Sequence, residues 1–172
     1  AAAQNEHYLE IMETPTFSNA AKLGYALGWP TGTSLLVGTT GQKEVTPEQL
    51  AKLRDASLAG GLRDEVATDR KELADAEAKR SVIENCPTMP LQADVSIPSG
   101  DSTGGAAHST ACFVKIRFIY QVLRAFPPQQ VFAQTLLGFE LASQDPDVVG
   151  INFVQPEDAF YSMSEYHRQM QM

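Results

Sequence analysis

Histidine and cysteine, the residue types that most often bind zinc or act as nucleophiles, are scarce in this chain. The three histidines, His7, His108 and His167, are assigned to a helix, a loop and a helix, and no two of them have the short spacing of a metal-binding pair. The two cysteines, Cys86 and Cys112, have no histidine or further cysteine nearby to complete a four-ligand zinc site. The sequence therefore predicts no metal site within the chain, and each histidine is more simply read as solvent-facing or locally hydrogen-bonded.

The two cysteines flank a stretch rich in proline, glycine and serine, residues 87–111, that we interpret as a long loop. Cysteines at the edges of a loop, rather than inside an apolar periodic segment, favour a disulfide that closes the loop. Two free or buried thiols are the alternative. A Cys86–Cys112 disulfide would indicate an oxidising compartment, periplasmic or extracellular, whereas free thiols would allow a cytoplasmic protein.

Charge and hydropathy exclude two classes of partner. The chain has 21 acidic and 13 basic residues and a net charge of −8, so it offers no basic surface for nucleic acid. No apolar run reaches the roughly 18 residues of a membrane-spanning helix. The hydrophobic content of 43% suits one soluble domain over residues 1–172. Because residues 1–7 resemble the end of a helix and the chain closes in a helix without a stop signal, we expect it to be a piece of a longer protein.

Three segments have the composition of β-strands, near residues 8–14, 113–123 and 148–154. The second is rich in β-branched and aromatic residues, and the third is the near-continuous apolar run of a strand buried on both faces of a parallel sheet. A helix is predicted after Pro127, and a last helix opens at Ser162 or Ser164. This alternation predicts an α/β fold in which the three strands are parallel and adjacent in chain order.

A long helical insertion, residues 17–85, separates the first two strands. It begins with a short helix over residues 17–29 and continues as a glycine-rich loop over residues 31–41. Thr46 and Gln49 then form the capping box of a helix that we expect to end near Gly60 and Gly61.

The last helix of this insertion is predicted from Leu62 to about Asn85. Its apolar stripe consists of Leu62, Val66 and Leu73. The charged residues around it are interpreted as a solvated face that contains i,i+4 pairs such as Asp75 and Lys79.

Side chains that do chemistry in parallel α/β proteins lie at the carboxyl ends of the strands. Here the polar residues at or just after those ends are Thr14, Arg124, Asn152 and Gln155. We expect them to meet at one rim of the sheet and to bind substrate. A structural ion pair is the favoured alternative for Arg124, and capping of the next helix is the favoured role of Glu157 and Asp158.

The three strand ends resemble those of the adenosine deaminase family. Residues 8–15 are similar to the family's second-strand pattern YxEVRxSP. Residues 116–127 are similar to the third strand, in which an arginine precedes a helix that starts at proline. Residues 148–158 are similar to the fourth-strand pattern VVGxDLxGxE, which is the most specific of the three. Residues 17–111 contain no motif of this family.

The resemblance implies that the chain is the central part of a TIM (β/α)8 barrel, a fold that needs roughly 250 residues. It also implies a zinc-dependent hydrolase that deaminates adenosine or a related purine nucleoside. In the family, the zinc ligands and the general acid/base glutamate lie on parts of the barrel that this chain does not contain. We therefore expect the chain alone to bind no zinc and to be inactive. Its partners would be the nucleoside and the remainder of the barrel, and a homo-oligomer is left open.

Two positions depart from the family pattern. Asn152 stands where the family usually has aspartate, and Gln155 stands where it usually has a glycine whose backbone approaches the purine. A glutamine side chain there would narrow the pocket or itself bond the base, so the nucleoside is not fixed by the resemblance. The alternative functions are a self-contained α/β binding module and a helical interaction module built on residues 17–85.

Overall fold

The computed structural model describes residues 1–30, 33–34, 43–86 and 110–158. In chain order the strands and α-helices are β1 (Tyr8–Glu13), α1 (Phe17–Leu27), β2 (Thr33–Ser34), β3 (Lys43–Glu44), α2 (Pro47–Ser57), α3 (Arg63–Ile83), β4 (Lys115–Leu123), α4 (Pro128–Gln144) and β5 (Val148–Val154). The protein is thus of the mixed α/β class that the alternation of strands and helices predicts.

The main sheet has three strands in the order β1-β4-β5, and both pairings are parallel. Ile11 is the register partner of Phe118, and Tyr120 is the register partner of Ile151. The predicted parallel and adjacent arrangement is confirmed. The last strand has the predicted bounds, whereas the middle strand begins at Lys115, two residues later than predicted, because residues 110–113 form a 3-10 turn.

The helices pack on one face of this sheet and share one hydrophobic core with it. Phe118, Tyr120 and Val122 alternate along β4 and are all buried, as expected for side chains on one face of a strand. The buried helical residues of the same cluster are Ala20, Leu62, Val66, Leu73, Val131, Leu137 and Leu141. They come from α1, from α3 and the turn before it, and from α4, so these helices lie on the same side of the sheet.

The helical insertion begins, divides and ends close to the predicted positions. The Thr46 capping box is present, with Gln49 N donating to Thr46 Oγ1 at 3.3 Å and Thr46 N donating to Gln49 Oε1 at 2.9 Å. The expected helix end near Gly60 and Gly61 is confirmed: α2 ends at Ser57, a π-helical turn covers Leu58–Leu62, and Gly61 has a non-helical φ of 113° just before α3 begins. A glycine tolerates this angle, so α2 and α3 are joined through a kink, and the buried Leu62 holds that kink on the core.

Three local predictions are corrected. Residues 1–7 are not a helix end: they contain only a 3-10 turn over Ala2–Gln4, and His7 lies outside any helix. The predicted loop at residues 31–41 contains Thr33–Ser34, which pairs with Lys43–Glu44 as a short parallel ladder. In α3, Asp75 forms its i,i+4 ion pair with Lys71, one turn before it, rather than with Lys79.

Several predicted features lie outside the described residues. These are most of the 87–111 loop, His108, the last helix from Ser162 or Ser164, and His167. Among the described helices, none is long and apolar enough to cross a membrane.

The Cys86–Cys112 disulfide is confirmed, with a sulfur–sulfur distance of 2.08 Å and a sequence separation of 26 residues. It joins the end of α3 to the turn before β4. Arg80 Nη1 also donates to the Ala111 carbonyl at 3.0 Å, and Lys115 N donates to the His7 carbonyl at 2.9 Å at the start of the sheet. The disulfide therefore lies at the edge where the strands begin, at the opposite end of the sheet from the rim that carries Thr14 and Asn152.

Candidate functional site

Four side chains meet near the carboxyl end of the sheet, on the face opposite the helices. Thr14 Oγ1 donates to Gln121 Oε1 at 3.1 Å. Gln121 and Asn152 are register partners on β4 and β5, and their amide nitrogens lie 3.4 Å and 3.3 Å from the sulfur of Met12. We call Met12, Thr14, Gln121 and Asn152 the amide cluster. Two of the four predicted site residues, Thr14 and Asn152, are thus brought together, with Gln121 between them.

The amide cluster contains no titratable group, so its chemistry is recognition rather than proton transfer. Each carboxamide offers two N–H donors and one carbonyl acceptor. The partner of both amide nitrogens is a thioether sulfur, which is a weak hydrogen-bond acceptor. A ligand with a stronger acceptor would therefore replace these contacts at little cost.

The sheet face that carries the cluster is open among the described residues. Met12 is 54% exposed, Tyr8 is 49% exposed and Asn152 is half-buried. The expectation that β5 is buried on both faces is met only on the side of the helices, where Val148 is buried and where Ile151 and Phe153 pack against the core.

Arg124 lies at the same end of the sheet but points differently. Side chains alternate along a strand, so Arg124 falls with Val122 on the helix side and not with Gln121. It is 3% exposed, and its Nη2 atom lies 2.5 Å from Glu157 Oε1 and donates to the Gln155 carbonyl at 3.4 Å. Arg124 therefore connects the loop after β5 to the end of β4, and its contact with Gln155 is to the backbone carbonyl rather than to the side chain.

A buried glutamine on α4 forms a hydrogen bond with the backbone at the end of β4. Gln134 of α4 has no exposed surface, and its Oε1 atom accepts from Leu123 N at 3.0 Å. Its amide nitrogen donates to the Gln130 carbonyl at 3.2 Å. This side chain satisfies the backbone donor of the last residue of β4 and fixes the position of the strand end that carries Gln121 and Arg124.

Sequence reasoning did not identify Gln121, Met12 or Gln134. A signal existed for Gln121, because it is an uncharged polar residue within an otherwise apolar or charged strand, three residues before Arg124. No pattern in the sequence marks Met12 as the contact of two amides, since that contact depends on the pairing of β1 with β4.

The described residues do not fit a zinc site. Among them, no group of three or more histidine, cysteine, aspartate or glutamate side chains is placed to hold a metal ion. Both cysteines are in the disulfide, and His7 Nε2 lies 3.1 Å from Asn5 Oδ1 at the surface.

Comparison of the chain with protein-family models, with curated proteins and with solved structures finds no match. The resemblance to the adenosine deaminase family therefore stands on the strand-end residues alone.

Proposed function

We propose that this chain is the central part of an adenosine-deaminase-like hydrolase that acts on adenosine or a related purine nucleoside. In this proposal β1, β4 and β5 are the second, third and fourth strands of a (β/α)8 barrel. The observation that carries it is the winding of the sheet: its strands follow chain order, and its packed helices lie on one face.

This winding separates a barrel from the other common parallel architecture. A doubly wound sheet has helices on both faces and reverses its strand order at the ligand site. A barrel keeps its strands in chain order, places its helices outside and turns the other strand face to the interior. In the part of the chain that the structure describes, β1 and β5 each pair with β4 alone, so each has an edge at which a further barrel strand would add. The remaining strands would come from sequence outside residues 1–172.

The amide cluster supports a heterocyclic substrate. Asparagine and glutamine recognise adenine by paired hydrogen bonds, in which the amide accepts from the exocyclic amine and donates to the adjacent ring nitrogen. Gln121 and Asn152 are neighbours in register and present such groups on the face that would line the barrel interior. A purine is therefore a better match to the cluster than an anionic substrate, because none of its four side chains is cationic and Arg117, on the same face of β4, is paired with Asp147.

The proposal divides the predicted site residues by role. Thr14, Asn152 and Gln155 would contact the nucleoside, and Gln121 joins them. Arg124 is a positioning residue, because its ion pair with Glu157 and its bond to the Gln155 carbonyl hold the loop that carries Gln155. The zinc and the acid/base glutamate that the family uses would be held by residues outside this chain.

Gln155→Gly in the complete enzyme is expected to change nucleoside preference by roughly tenfold, the usual worth of one contact in a binding pocket. The change restores the residue of the family pattern and removes a side chain from the predicted substrate rim. Glycine costs a loop position little stability. The measurement is the ratio of kcat/KM values for adenosine and related purine nucleosides.

The matched control is Asp158→Gly, at an exposed position three residues further along the same loop, which should leave those ratios unchanged. If Gln155→Gly slows every nucleoside by the same factor, Gln155 has no part in specificity. If the complete protein deaminates no purine nucleoside, the proposed function is wrong.

A further inference from the structure

A carboxylate interrupts the apolar stripe of α3. The stripe runs through Leu62, Val66 and Leu73, and Asp69 occupies the position between the last two, where helical spacing calls for another apolar residue. Asp69 has no exposed surface. An aspartate on the core side of a helix is unusual, because burial of an unpaired charge is costly.

Among the described residues, the side chain of Asp69 has one hydrogen bond, and it reaches the connection between β1 and α1. Thr16 Oγ1 donates to Asp69 Oδ1. Thr16 is the N-cap residue of α1, but its hydroxyl makes no capping bond to that helix. The side chain that would normally cap α1 is thus used to attach this connection, which begins at Thr14, to α3.

The second carboxylate oxygen of Asp69 lacks a hydrogen-bond partner in the described part of the chain. Asp69 Oδ2 is buried and has no hydrogen-bond partner among the described residues, and the same is true of the Tyr120 hydroxyl on β4. The charges that act on Asp69 are acidic, namely Glu65 and Glu72 on α3 itself. The nearby cations Arg70 and Lys71 form ion pairs with Asp145 and Asp75. Glu13 of β1 lines a small apolar cleft together with Leu73 and Tyr120.

These surroundings favour the neutral acid. Burial is the main reason that the pKa of Asp69 is raised, from 3.8 to about 6, and the charges of Glu65 and Glu72 add to the shift while the Thr16 hydrogen bond opposes it. Burial also raises the pKa of Tyr120, with a further contribution from the charge of Asp69, so the tyrosine stays neutral and brings no charge to the neighbourhood of Asp69.

We propose that Asp69 is a pH-sensitive latch that holds the β1–α1 connection to α3 while it is protonated and loosens this contact when it ionises. As a neutral acid, Asp69 accepts from Thr16 and carries its proton on Oδ2. As a carboxylate it is a buried charge with one hydrogen bond and acidic neighbours, and it reaches water only if the contact between Thr16 and α3 opens. The latch follows from the packing of the chain and does not depend on the proposed substrate.

Because the pKa of Asp69 is raised in the folded state, the stability of the chain should fall as the pH rises. A group that binds its proton more tightly in the folded state contributes stability that is complete below its unfolded pKa and is lost as the pH rises through its folded pKa. The unfolding equilibrium constant of the chain should therefore increase about tenfold between about pH 5 and about pH 8 on account of Asp69. Amide exchange at residues 13–20, corrected for intrinsic base catalysis, should accelerate over the same range.

The test uses urea unfolding and amide exchange of the full chain across this pH range. Asp69→Asn is isosteric with the neutral acid and should remove the tenfold dependence. Asp75→Asn makes the same chemical change at a side chain that is 65% exposed and should leave the dependence in place. Comparison of these variants with the unaltered chain cancels the titration of the three histidines.

A third variant, Thr16→Val, tests the contact between Thr16 and Asp69 even if Asp69→Asn does not fold. Thr16→Val removes the hydrogen bond that opposes the pKa shift, so the midpoint of the stability change should move to higher pH. The latch is overturned if Asp69→Asn retains the full pH dependence, or if Thr16→Val leaves the midpoint where it was.

Discussion

Gly24→Ala is expected to destabilise the chain by about 2 to 3 kcal/mol, because it places a methyl group where two helices are already in backbone contact. A Cβ at Gly24 would lie 2.2 Å from the Gln129 carbonyl oxygen and 2.9 Å from the Ala133 Cβ atom. The first of these is a backbone atom and cannot rotate away. The clash is relieved only if α1 moves off α4, and this opens the core around Ala20, which has no exposed surface. The expected loss is net of the gain of about 1 kcal/mol that alanine brings to a helix.

Gly60→Ala is the matched control. A Cβ at Gly60 would meet the Leu23 Cδ1 atom at 3.1 Å, and that atom is the far end of a flexible side chain. The change in unfolding free energy should be below about 1 kcal/mol in either direction. Urea or thermal unfolding of both variants makes the comparison. Equal stability of Gly24→Ala and the unaltered chain would show that α1 does not lie as close to α4 as the structure has it.

Loss of the Cys86–Cys112 disulfide is expected to cost about 3 kcal/mol. The bond closes a loop with a sequence separation of 26 residues, and the closure limits the conformations of the unfolded chain. Because the bond lies where the strands begin, its loss should lower stability without moving the amide cluster at the opposite end of the sheet.

The variant Cys86→Ser with Cys112→Ser and the reduced form of the unaltered chain should unfold at the same denaturant concentration, well below that of the oxidised chain. The reductant should have no effect on the serine variant, which separates the disulfide from other effects of the reductant. Oxidised and reduced chains with the same unfolding midpoint would contradict the expectation.

The strands were predictable because their signal is local. β5 is a near-continuous apolar run between a turn at Asp145 and a polar loop, and its predicted and observed bounds agree. The pairing of β4 with β5 followed from the short connection through α4 and the handedness rule, and the pairing of β1 with β4 followed from chain order despite the long insertion between them. The loop-edge positions of Cys86 and Cys112 were likewise sufficient to predict their pairing, although the compartment that this pairing suggests stays a prediction.

What the sequence did not reveal depends on contacts between distant segments. The sequence does not distinguish Gly24 from any other helical glycine, because its close approach to Gln129 arises only when α1 packs on α4. Asp69 was overlooked although it stands in the apolar stripe of α3, and its neighbour across the core, Thr16, is 53 residues away.

The candidate site was predictable in part. Thr14 and Asn152 meet as expected, through Gln121, because parallel strands bring their carboxyl ends to one edge. Arg124 and Gln155 share that end of the sheet, but Arg124 turns toward the helix side and is paired with Glu157. Alternation along β4 could have indicated this, since Arg124 has the same parity as the buried Val122.

Adenosine deamination by the complete protein that contains these 172 residues, measured together with its zinc content, tests the proposed deaminase function most directly. We expect one zinc per complete polypeptide and conversion of adenosine, or of a related purine nucleoside, with release of ammonia. The chain of residues 1–172 alone should show neither. A complete protein that folds and binds one zinc but deaminates no purine nucleoside would contradict the proposed function. Stoichiometric zinc on the 172-residue chain alone would contradict the proposal that the metal ligands lie outside this chain.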